Sequence, residues 1–287
     1  MANVLIVGCG YVGEALGLRL VAAGDRVFAM RRNPAGLPDS FVAIRGDVTR
    51  SDGIGGLPST RLDHVVYAVG AKARGEAAYR ASYLDGLGNL LRVLGDEGQR
   101  PSRFVFTSST SVYGQRRGEW VDETSPTHPR DFAGEILLTC ERLLHGSPHP
   151  STVLRLGGIY GPGRTSLLAR VESGQPIPER DTPHYSNRIH RDDAAGAIAH
   201  LLRVDAPAPV YLGVDDEPTD QADVMRWIGR QLGRIVPVEA DDGSSPPRSG
   251  SKRCRNTLLR ASGYAFRYPS YREGYAELLP IRRPRAV

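Results

Sequence analysis

The chain opens with Val4-Leu5-Ile6-Val7-Gly8-Cys9-Gly10-Tyr11-Val12-Gly13, and this stretch decides the fold. Four apolar residues predict a buried strand, and the glycines after them predict a tight turn into a helix over 14–20. Glycines at this spacing allow a sharp turn, close approach of the backbone to a pyrophosphate, and close packing of helix on strand. A purely structural turn is the alternative. We expect a dinucleotide to contact the residues of this turn, namely Gly8, Gly10, Tyr11, Val12 and Gly13.

Length and composition narrow the class of protein. The 287 residues, 40% of them hydrophobic, suffice for one large or two closely joined domains. The N-terminus lacks the basic region and cleavage site of a signal peptide, and no segment reaches the ~18 apolar residues of a membrane span. The cysteines at positions 9, 140 and 254 are too widely spaced for a disulfide framework or a metal cluster. We expect a reduced, cytoplasmic protein with no membrane segment and no metal site.

The net charge of +5 raises the question of nucleic-acid binding. Dense basic patches occur only at 31–32, 116–117, 252–255 and 282–285, and no nucleic-acid-binding motif accompanies them. We interpret these patches as solvated surface charge and expect no nucleic-acid partner. Only two of the 37 basic residues are lysines, Lys72 and Lys252.

The end of the second predicted strand, over 26–30, indicates which dinucleotide binds. In a fold of this kind, an acid at that position hydrogen-bonds the ribose of NAD, whereas an arginine accommodates the 2′-phosphate of NADP. Arg31 and Arg32 stand there, and no acid follows until Asp39. The sequence therefore predicts NADP(H) in preference to NAD(H). Arginines that are merely exposed at a strand end are the alternative.

Strand and helix patterns alternate through the first half of the chain. Apolar strand patterns occur at 41–44, 63–70 and 103–107, and leucines at helical spacing predict a crossover helix over 76–94. The alternation predicts an α/β fold, a Rossmann-like doubly wound parallel sheet with a small C-terminal substrate-binding part. Further cofactor contacts are expected after the third and fourth strands, from Asp47, Val48, Ala68, Val69 and Gly70.

Two interleaved parts are expected: a dinucleotide-binding domain over 1–165 and a smaller substrate-binding part over 166–287. A helix over 193–204 and a strand over 210–214 are expected to return to the first domain, so the region 190–214 belongs to it. Asp220 is expected to cap the next helix. The stretch 241–247, rich in Asp, Ser and Pro, is expected to be a mobile loop over the site.

Five motifs, in order, resemble those of the extended short-chain dehydrogenases/reductases, the group that contains sugar-nucleotide epimerases and dehydratases. They are the glycine turn, Gly46-Asp47-Val48, and the stretches at 104–114 (FVFTSSTSVYG), 158–164 (GIYGPGR) and 188–193 (RIHRDD). The stretch 251–275 is similar to an epimerase/dehydratase-like subgroup. The resemblance implies that Ser109 hydrogen-bonds the reacting carbonyl or hydroxyl. It also implies that Ser108, Gly158 and Ile159 lie at the cofactor.

One element of that family is missing. Its members carry Tyr-x-x-x-Lys on the helix after the fifth strand, where the lysine lowers the pKa of a tyrosine that acts as acid or base. Alignment on Glu141 places Ala133 and Leu137 at these two positions. The residue count leads to the same result, because position 68 is Ala and position 248 is Arg, four residues before each lysine. The chain therefore contains no such pair.

The resemblance implies an NADP-binding oxidoreductase or epimerase/dehydratase-like enzyme that acts on a small hydroxy or keto substrate through an atypical proton-transfer group. Candidates for that group are Tyr113, Tyr160 and His190, each with the alternative of a packing or loop-orienting role. Arg164 favours an anionic substrate, with a surface arginine as the alternative. As in relatives, helices at 76–94 and 134–145 would form the face of a homodimer. The alternative function is a catalytically silent NADP(H)-binding sensor or scaffold.

Overall fold

The computed structural model describes residues 1–71, 73, 75–240 and 250–279. The predicted loop at 241–247, the basic tail at 282–285 and Lys72 lie outside these residues. The strands are β1 Asn3–Val7, β2 Arg26–Arg31, β3 Val42–Arg45, β4 His64–Tyr67, β5 Arg103–Ser109, β6 Glu119–Val121, β7 Ser151–Leu156, β8 Gly158–Tyr160, β9 Ile177–Glu179, β10 Tyr185–Ser186, β11 Arg188–His190, β12 Val210–Gly213, β13 Thr219–Asp220, β14 Val238–Ala240 and β15 Lys252–Cys254. The helices are α1 Tyr11–Ala22, α2 Glu76–Tyr79, α3 Gly86–Asp96, α4 Phe132–His145, α5 Ser166–Glu172, α6 Arg191–Leu201, α7 Gln221–Leu232, α8 Thr257–Ala261 and α9 Tyr271–Leu278.

Seven parallel strands form the central sheet in the order β12-β7-β5-β4-β1-β2-β3. The chain builds outward from β1 in one direction and from β4 in the other. This doubly wound order confirms the predicted Rossmann-like α/β fold. In such sheets, a ligand binds beyond the carboxyl ends of the strands where the order reverses, and here that point lies between β1 and β4.

Apolar side chains cover both faces of the sheet. Successive residues of a strand point to opposite faces, so Leu5 packs in one core cluster with α3 and α4, and Ile6 packs in the other with α1 and α6. Both residues are fully buried. Burial on two sides explains why the opening strand is a continuous apolar run with no polar alternation.

The predicted crossover helix at 76–94 is present as three consecutive pieces, which are α2, a π-helical turn over Arg80–Asp85, and α3. Tyr67 at the end of β4 donates a hydrogen bond to the Ser82 carbonyl in this turn, at 2.6 Å. A Cβ on Gly86 would lie 2.4 Å from the same tyrosine hydroxyl. The helix therefore lies close against the end of the sheet.

The remaining elements form a smaller part with its own core. α5, α7 and α9 bury Leu168, Val224, Ile228 and Tyr271 together. β12 joins the edge of the central sheet beside β7, and α6 packs on α1. The division between residues 165 and 166 stays a prediction. Within the described residues, no helix combines the length and apolarity that a membrane crossing requires.

Candidate functional site

The turn after β1 uses its three glycines in three different ways. Gly8 has a φ of 84°, and a Cβ there would lie 2.6 Å from the Cα of Val69, so the ends of β1 and β4 can approach only without a side chain. A Cβ on Gly13 would lie 3.1 Å from the Cγ2 of Ile6, which reflects close packing of α1 on β1. A Cβ on Gly10 would meet a single atom within 4 Å, the Gly8 carbonyl oxygen at 3.9 Å. The space beside Gly10 is therefore open to a ligand.

The N-terminus of α1 is suited to an anion. Gly10 is the N-cap and has no side chain that could bond the N–H groups of the first turn, which begins with Tyr11 and Val12. Uncapped N–H groups and the helix dipole together attract a phosphate. The guanidinium carbons of Arg164 and Arg191 lie 4.3 and 5.3 Å from the centre of the Tyr11 ring. Two arginines thus lie against the ring of the first residue of α1, and Arg191 also pairs with the Asp192 carboxylate at 2.8 Å.

The two predicted ribose-end arginines lie in different surroundings. Arg31 is held by the protein, because its Nη1 donates to the Cys9 carbonyl at 3.4 Å and lies 3.8 Å from the Glu14 carboxylate. Arg32 is exposed. Arg45 is exposed beside it and donates from Nε to the Arg32 carbonyl at 3.4 Å. Only the register of β3 against β2 brings Arg45 to this point, so no local pattern could have predicted it.

The other predicted cofactor residues border the same edge of the sheet. The Asp47 carboxylate accepts hydrogen bonds from the backbone N–H and the hydroxyl of Thr49, at 3.1 and 2.7 Å. Burial alone would raise the pKa of Asp47, but these hydrogen bonds lower it. The Val48 carbonyl accepts a hydrogen bond from the Asn89 amide at 2.8 Å. At the reversal point, β4 is followed directly by Ala68, Val69 and Gly70.

A cavity of about 420 Å³ opens beside the ends of β5 and β7. Several predicted residues line it, namely Ser109, Tyr113, Gly158, Ile159 and Tyr160. Its described lining also carries four cationic side chains against the single carboxylate of Asp131. The four are Arg116, Arg130, Arg188 and Lys252. This balance of charge fits a ligand with a negative group.

Ser109 is the last residue of β5 and lines the cavity. Its Oγ accepts a hydrogen bond from the backbone N–H of Ser111 at 3.1 Å and so caps the short 3-10 turn Thr110–Val112. A serine hydroxyl that accepts one hydrogen bond still has its own O–H to donate. Ser109 can therefore donate to a substrate oxygen without giving up its structural role.

The hydroxyls of Ser108 and Tyr113 belong to a buried network. Ser108 donates to Glu141 at 2.6 Å, and Glu141 pairs with the Arg155 guanidinium at 2.6 Å. Arg155 also donates to the Tyr113 hydroxyl at 2.7 Å, which in turn donates to the Asp122 carbonyl at 2.8 Å. Burial raises the pKa of Tyr113, and Arg155 offsets this only in part. If Tyr113 gave its proton to a substrate, its hydrogen bond to the Asp122 carbonyl would be lost.

Tyr160 and His190 are opposite each other in the β8–β11 pair, with ring centres 5.4 Å apart. Tyr160 stacks on Tyr275 at 4.6 Å, and its hydroxyl lies against Gly274 with no hydrogen-bond partner among the described residues. His190 Nδ1 accepts from the Asp192 N–H at 3.2 Å and caps α6. Burial raises the pKa of Tyr160 and lowers that of His190. His190 is not among the described residues that line the cavity.

Helix α4, where the family resemblance predicts an acid–base pair, carries buried apolar residues and a side-chain cap. Leu137 is 3% exposed and packs in the core with Ile136 and Cys140. Ala133 lies in the first turn of α4. The Asp131 carboxylate caps this turn by accepting from the Gly134 N–H at 2.8 Å. Neither Ala133 nor Leu137 is among the described residues of the cavity wall.

Lys252 differs from its prediction. The sequence predicts solvated charge over 252–255, and this is wrong for Lys252, which is 3% exposed. Its Nζ donates a hydrogen bond to the Tyr113 carbonyl at 3.2 Å. Arg253 and Arg255 lie over the Trp120 ring instead. The available signal was the rarity of lysine in this chain, but nothing local marks a lysine as buried.

The sequence is similar to those of known proteins over nearly its whole length. The profile of the NAD dependent epimerase/dehydratase family matches residues 4–207. Protein YeeZ of Escherichia coli (strain K12) is 31% identical over 283 residues, which cover 94% of this chain and 97% of that protein. The 3-diazoavenalumate denitrifying reductase of a Streptomyces species is 26% identical, with coverage of 95% and 98%.

Solved structures show the same architecture. A Methylobacillus flagellatus protein described as an NAD-dependent epimerase/dehydratase superposes with a TM-score of 0.81 at 36% identity, over 96% of this chain and 97% of that one. Human epimerase family protein SDR39U1, solved with NADPH, superposes with a TM-score of 0.79 at 22% identity, over 96% and 98%. The second likeness is one of fold.

Proposed function

The chain belongs to the NAD dependent epimerase/dehydratase family, and from this premise we propose that it is an NADP(H)-dependent enzyme of the oxidoreductase or epimerase/dehydratase type. Its substrate is a small hydroxy or keto compound with a negatively charged group. One observation carries the proposal: Ser109 opens onto a cavity whose described lining carries four cations and one carboxylate. That cavity lies at the carboxyl edge of the same sheet as the glycine turn.

The residues fit a nicotinamide dinucleotide. The open space beside Gly10 and the uncapped start of α1 would hold its phosphates. Arg32 and Arg45, both exposed, would meet a 2′-phosphate at the adenosine end. When bound, the cofactor supplies or accepts a hydride. The chain's own residues bind and orient the substrate.

Ser109 is the residue proposed to act on the reacting oxygen. Its Oγ accepts from the Ser111 N–H, and no described residue takes a hydrogen bond from its O–H, which is therefore available to a substrate oxygen. A hydrogen bond to that oxygen strengthens as negative charge develops on it, which stabilises the transition state. The guanidinium of Arg188, itself 6% exposed, is placed to bind the charged group of the substrate.

The test combines cofactor binding with turnover. We expect NADPH to bind about tenfold more tightly than NADH, Arg32→Ala to reduce that difference, and Arg32→Ala combined with Arg45→Ala to remove it. Arg26→Ala, at the opposite end of β2, is the matched control and should leave the preference unchanged. With keto acids as trial substrates, Ser109→Ala should lower turnover about 100-fold while the protein stays folded. No binding of either dinucleotide would refute the proposal.

A second candidate function is supported by α4. Ala133 and Leu137 leave the helix without the family's acid–base pair, which favours a catalytically silent NADP(H)-binding sensor or scaffold. This candidate predicts NADPH binding without turnover of any trial substrate. It also predicts that Ser109→Ala changes only local packing. Turnover that Ser109→Ala abolishes in a folded protein would contradict it.

A further inference from the structure

We propose that Lys252 is the acid that delivers a proton to the substrate oxygen held by Ser109. It would replace, from a different element, the proton-transfer group that α4 lacks. This inference rests on the proposed function and deepens it by naming the group that gives and takes the proton. Its basis is a lysine side chain buried in the wall of the cavity that Ser109 also lines.

The backbone of Lys252 is firmly placed. β15 pairs with β6 in parallel, and the Asn187 side chain clamps β15 by donating to the Lys252 carbonyl at 3.0 Å and accepting from the Cys254 N–H at 2.7 Å. Asn187 belongs to the cavity wall as well. The lysine therefore reaches the cavity from a fixed strand.

Lys252 and Ser109 hold the two ends of the same turn. Ser109 caps the start of the 3-10 turn that runs from Thr110 to Val112. Lys252 Nζ donates to the carbonyl of Tyr113, the residue that ends it, at 3.2 Å. Both residues line the cavity, and the proposal places one small ligand against both. Relatives obtain a similar pairing of serine with an ionisable group from the helix instead.

Among the described residues, the Lys252 ammonium has fewer acceptors than it has N–H donors. An ammonium has three N–H donors, and the described residues supply one acceptor, the Tyr113 carbonyl. No carboxylate among the described residues is in ion-pair contact with it. Burial of a charged group with unfilled donors is unfavourable. A substrate oxygen in the cavity would provide the missing acceptor.

The charges around Lys252 suit a group that exchanges a proton. Burial is the largest influence on the pKa of Lys252 and lowers it. The charges of Cys254 and Asp131 raise this pKa, and the charge of Arg116 lowers it. Burial lowers the pKa of His184, and the Lys252 charge contributes to lowering it further. The net effect is a lowered pKa, which brings proton release closer to neutral pH than for an ordinary lysine.

The proposed step balances in protons and electrons. A bound nicotinamide dinucleotide would supply the hydride for a new C–H bond at the carbonyl carbon, and the π electron pair of the carbonyl would then move to oxygen. One proton then passes from Lys252 Nζ to that oxygen, so an N–H bond breaks and an O–H bond forms. The products are the alcohol, the oxidised cofactor and a neutral amine, which regains its proton from water. In the reverse direction the amine accepts the proton.

The test compares two substitutions under turnover with NADPH. Lys252→Arg keeps the positive charge but does not release a proton, whereas Lys252→Met removes both. We expect each to lower the reduction rate about 100-fold or more, with NADPH affinity unchanged within about twofold. Arg253→Gln, the neighbour over Trp120, is the matched control and should leave the rate unchanged. A Lys252→Arg variant that turns over like the wild type would overturn the proposal.

The pH profile separates proton transfer from simple binding. The acid must be protonated, so the reduction rate should fall as the pH rises through the pKa of Lys252. Because that pKa is lowered, the fall should come below the range of an ordinary lysine. The same limb should be absent from the residual activity of Lys252→Arg. If the fall in rate with rising pH persists in Lys252→Arg, a residue other than Lys252 is the acid.

A spectroscopic readout needs no turnover. The chain has two lysines, so protein made with 13C-labelled lysine gives two sets of lysine side-chain signals in an NMR spectrum. The set that disappears in Lys72→Arg belongs to Lys72, and the other belongs to Lys252. We expect Lys252 to titrate at lower pH than Lys72, and an ordinary midpoint for Lys252 would overturn the proposal. Absence of dinucleotide binding, by contrast, would refute the proposed function. The titration midpoint of Lys252 would still show whether the pKa of this residue is low enough for an acid.

Discussion

Helices α1 and α4 both begin near the carboxyl ends of the sheet strands, and their first turns are built in opposite ways. α1 begins after Gly10, whose missing side chain leaves the first N–H groups uncapped. α4 begins after Asp131, whose carboxylate bonds the Gly134 N–H at 2.8 Å. The first helix end is open to a ligand, and the second is closed by the chain itself. The difference lies in capping: the N–H groups at the start of α1 have no side-chain cap, whereas the start of α4 is capped by Asp131.

The body of α4 strengthens this contrast. Its side chain at Glu141 joins the buried network of Ser108, Arg155 and Tyr113, and Leu137 packs in the core. Burial lowers the pKa of Arg155, but the hydrogen bond and charge of Glu141 raise it more strongly, so the guanidinium stays charged. α4 is therefore joined to β5 and β7 by buried hydrogen bonds and an ion pair.

The largest effect is expected from restoring the family's lysine on α4. Leu137→Lys should lower the free energy of unfolding by about 4 kcal/mol, because it removes a buried apolar side chain and leaves an unpaired ammonium in the core. Urea denaturation measures the change. Leu137→Met keeps the volume and should cost less than about 1.5 kcal/mol. A Leu137→Lys protein as stable as wild type would mean that α4 still faces the cavity.

The next effect concerns the buried ion pair of α4. Glu141→Ala should destabilise the protein by about 3 kcal/mol, because Arg155 would remain buried without its carboxylate. Glu135→Ala, on the exposed side of the same helix, should stay within about 0.5 kcal/mol. Equal, small losses in the two variants would show that the network contributes little to holding α4 on the sheet.

At the start of α1, two glycine substitutions should separate folding from binding. Gly8→Ala should lower stability by about 2 kcal/mol and weaken NADPH binding, because its φ is positive and a Cβ would meet Val69. Gly10→Ala should cost less than about 1 kcal/mol in stability and weaken NADPH binding about tenfold. Thermal unfolding and fluorescence titration measure the two quantities. Unchanged NADPH affinity in Gly10→Ala would remove the ligand role from this helix end.

The smallest effect is expected at the cap of α4. Asp131→Ala should lower the free energy of unfolding by about 1 kcal/mol, since the Gly134 N–H loses its acceptor. Asp131→Asn keeps an acceptor oxygen and should be close to wild type. A loss of stability in Asp131→Asn equal to that in Asp131→Ala would point to the charge of Asp131, rather than its hydrogen bond, as the source of the cap's effect.

Much of the fold followed from local patterns. The strand–turn–helix at 4–20 and the alternation of strands with helices are confirmed by the central sheet, because periodicity depends on neighbouring residues alone. Local patterns could not predict the π-helical turn over Arg80–Asp85, because it contacts Tyr67, whose hydroxyl bonds the Ser82 carbonyl. Arg45 likewise comes to lie beside Arg32 only through the register of β3 against β2.

By itself the sequence determined the parallel sheet, the glycine turn and the absence of the Tyr-x-x-x-Lys pair, because spacing and residue counts suffice for each. Only the tertiary structure decided which side chains are available for chemistry. The Ser109 hydroxyl donates to none of the described residues, whereas the hydroxyls of Ser108 and Tyr113 belong to a buried network. Lys252 is buried and bonds a carbonyl 139 positions away in the chain. Burial and hydrogen-bond partners are properties of pairs of distant segments, so no local pattern contains them.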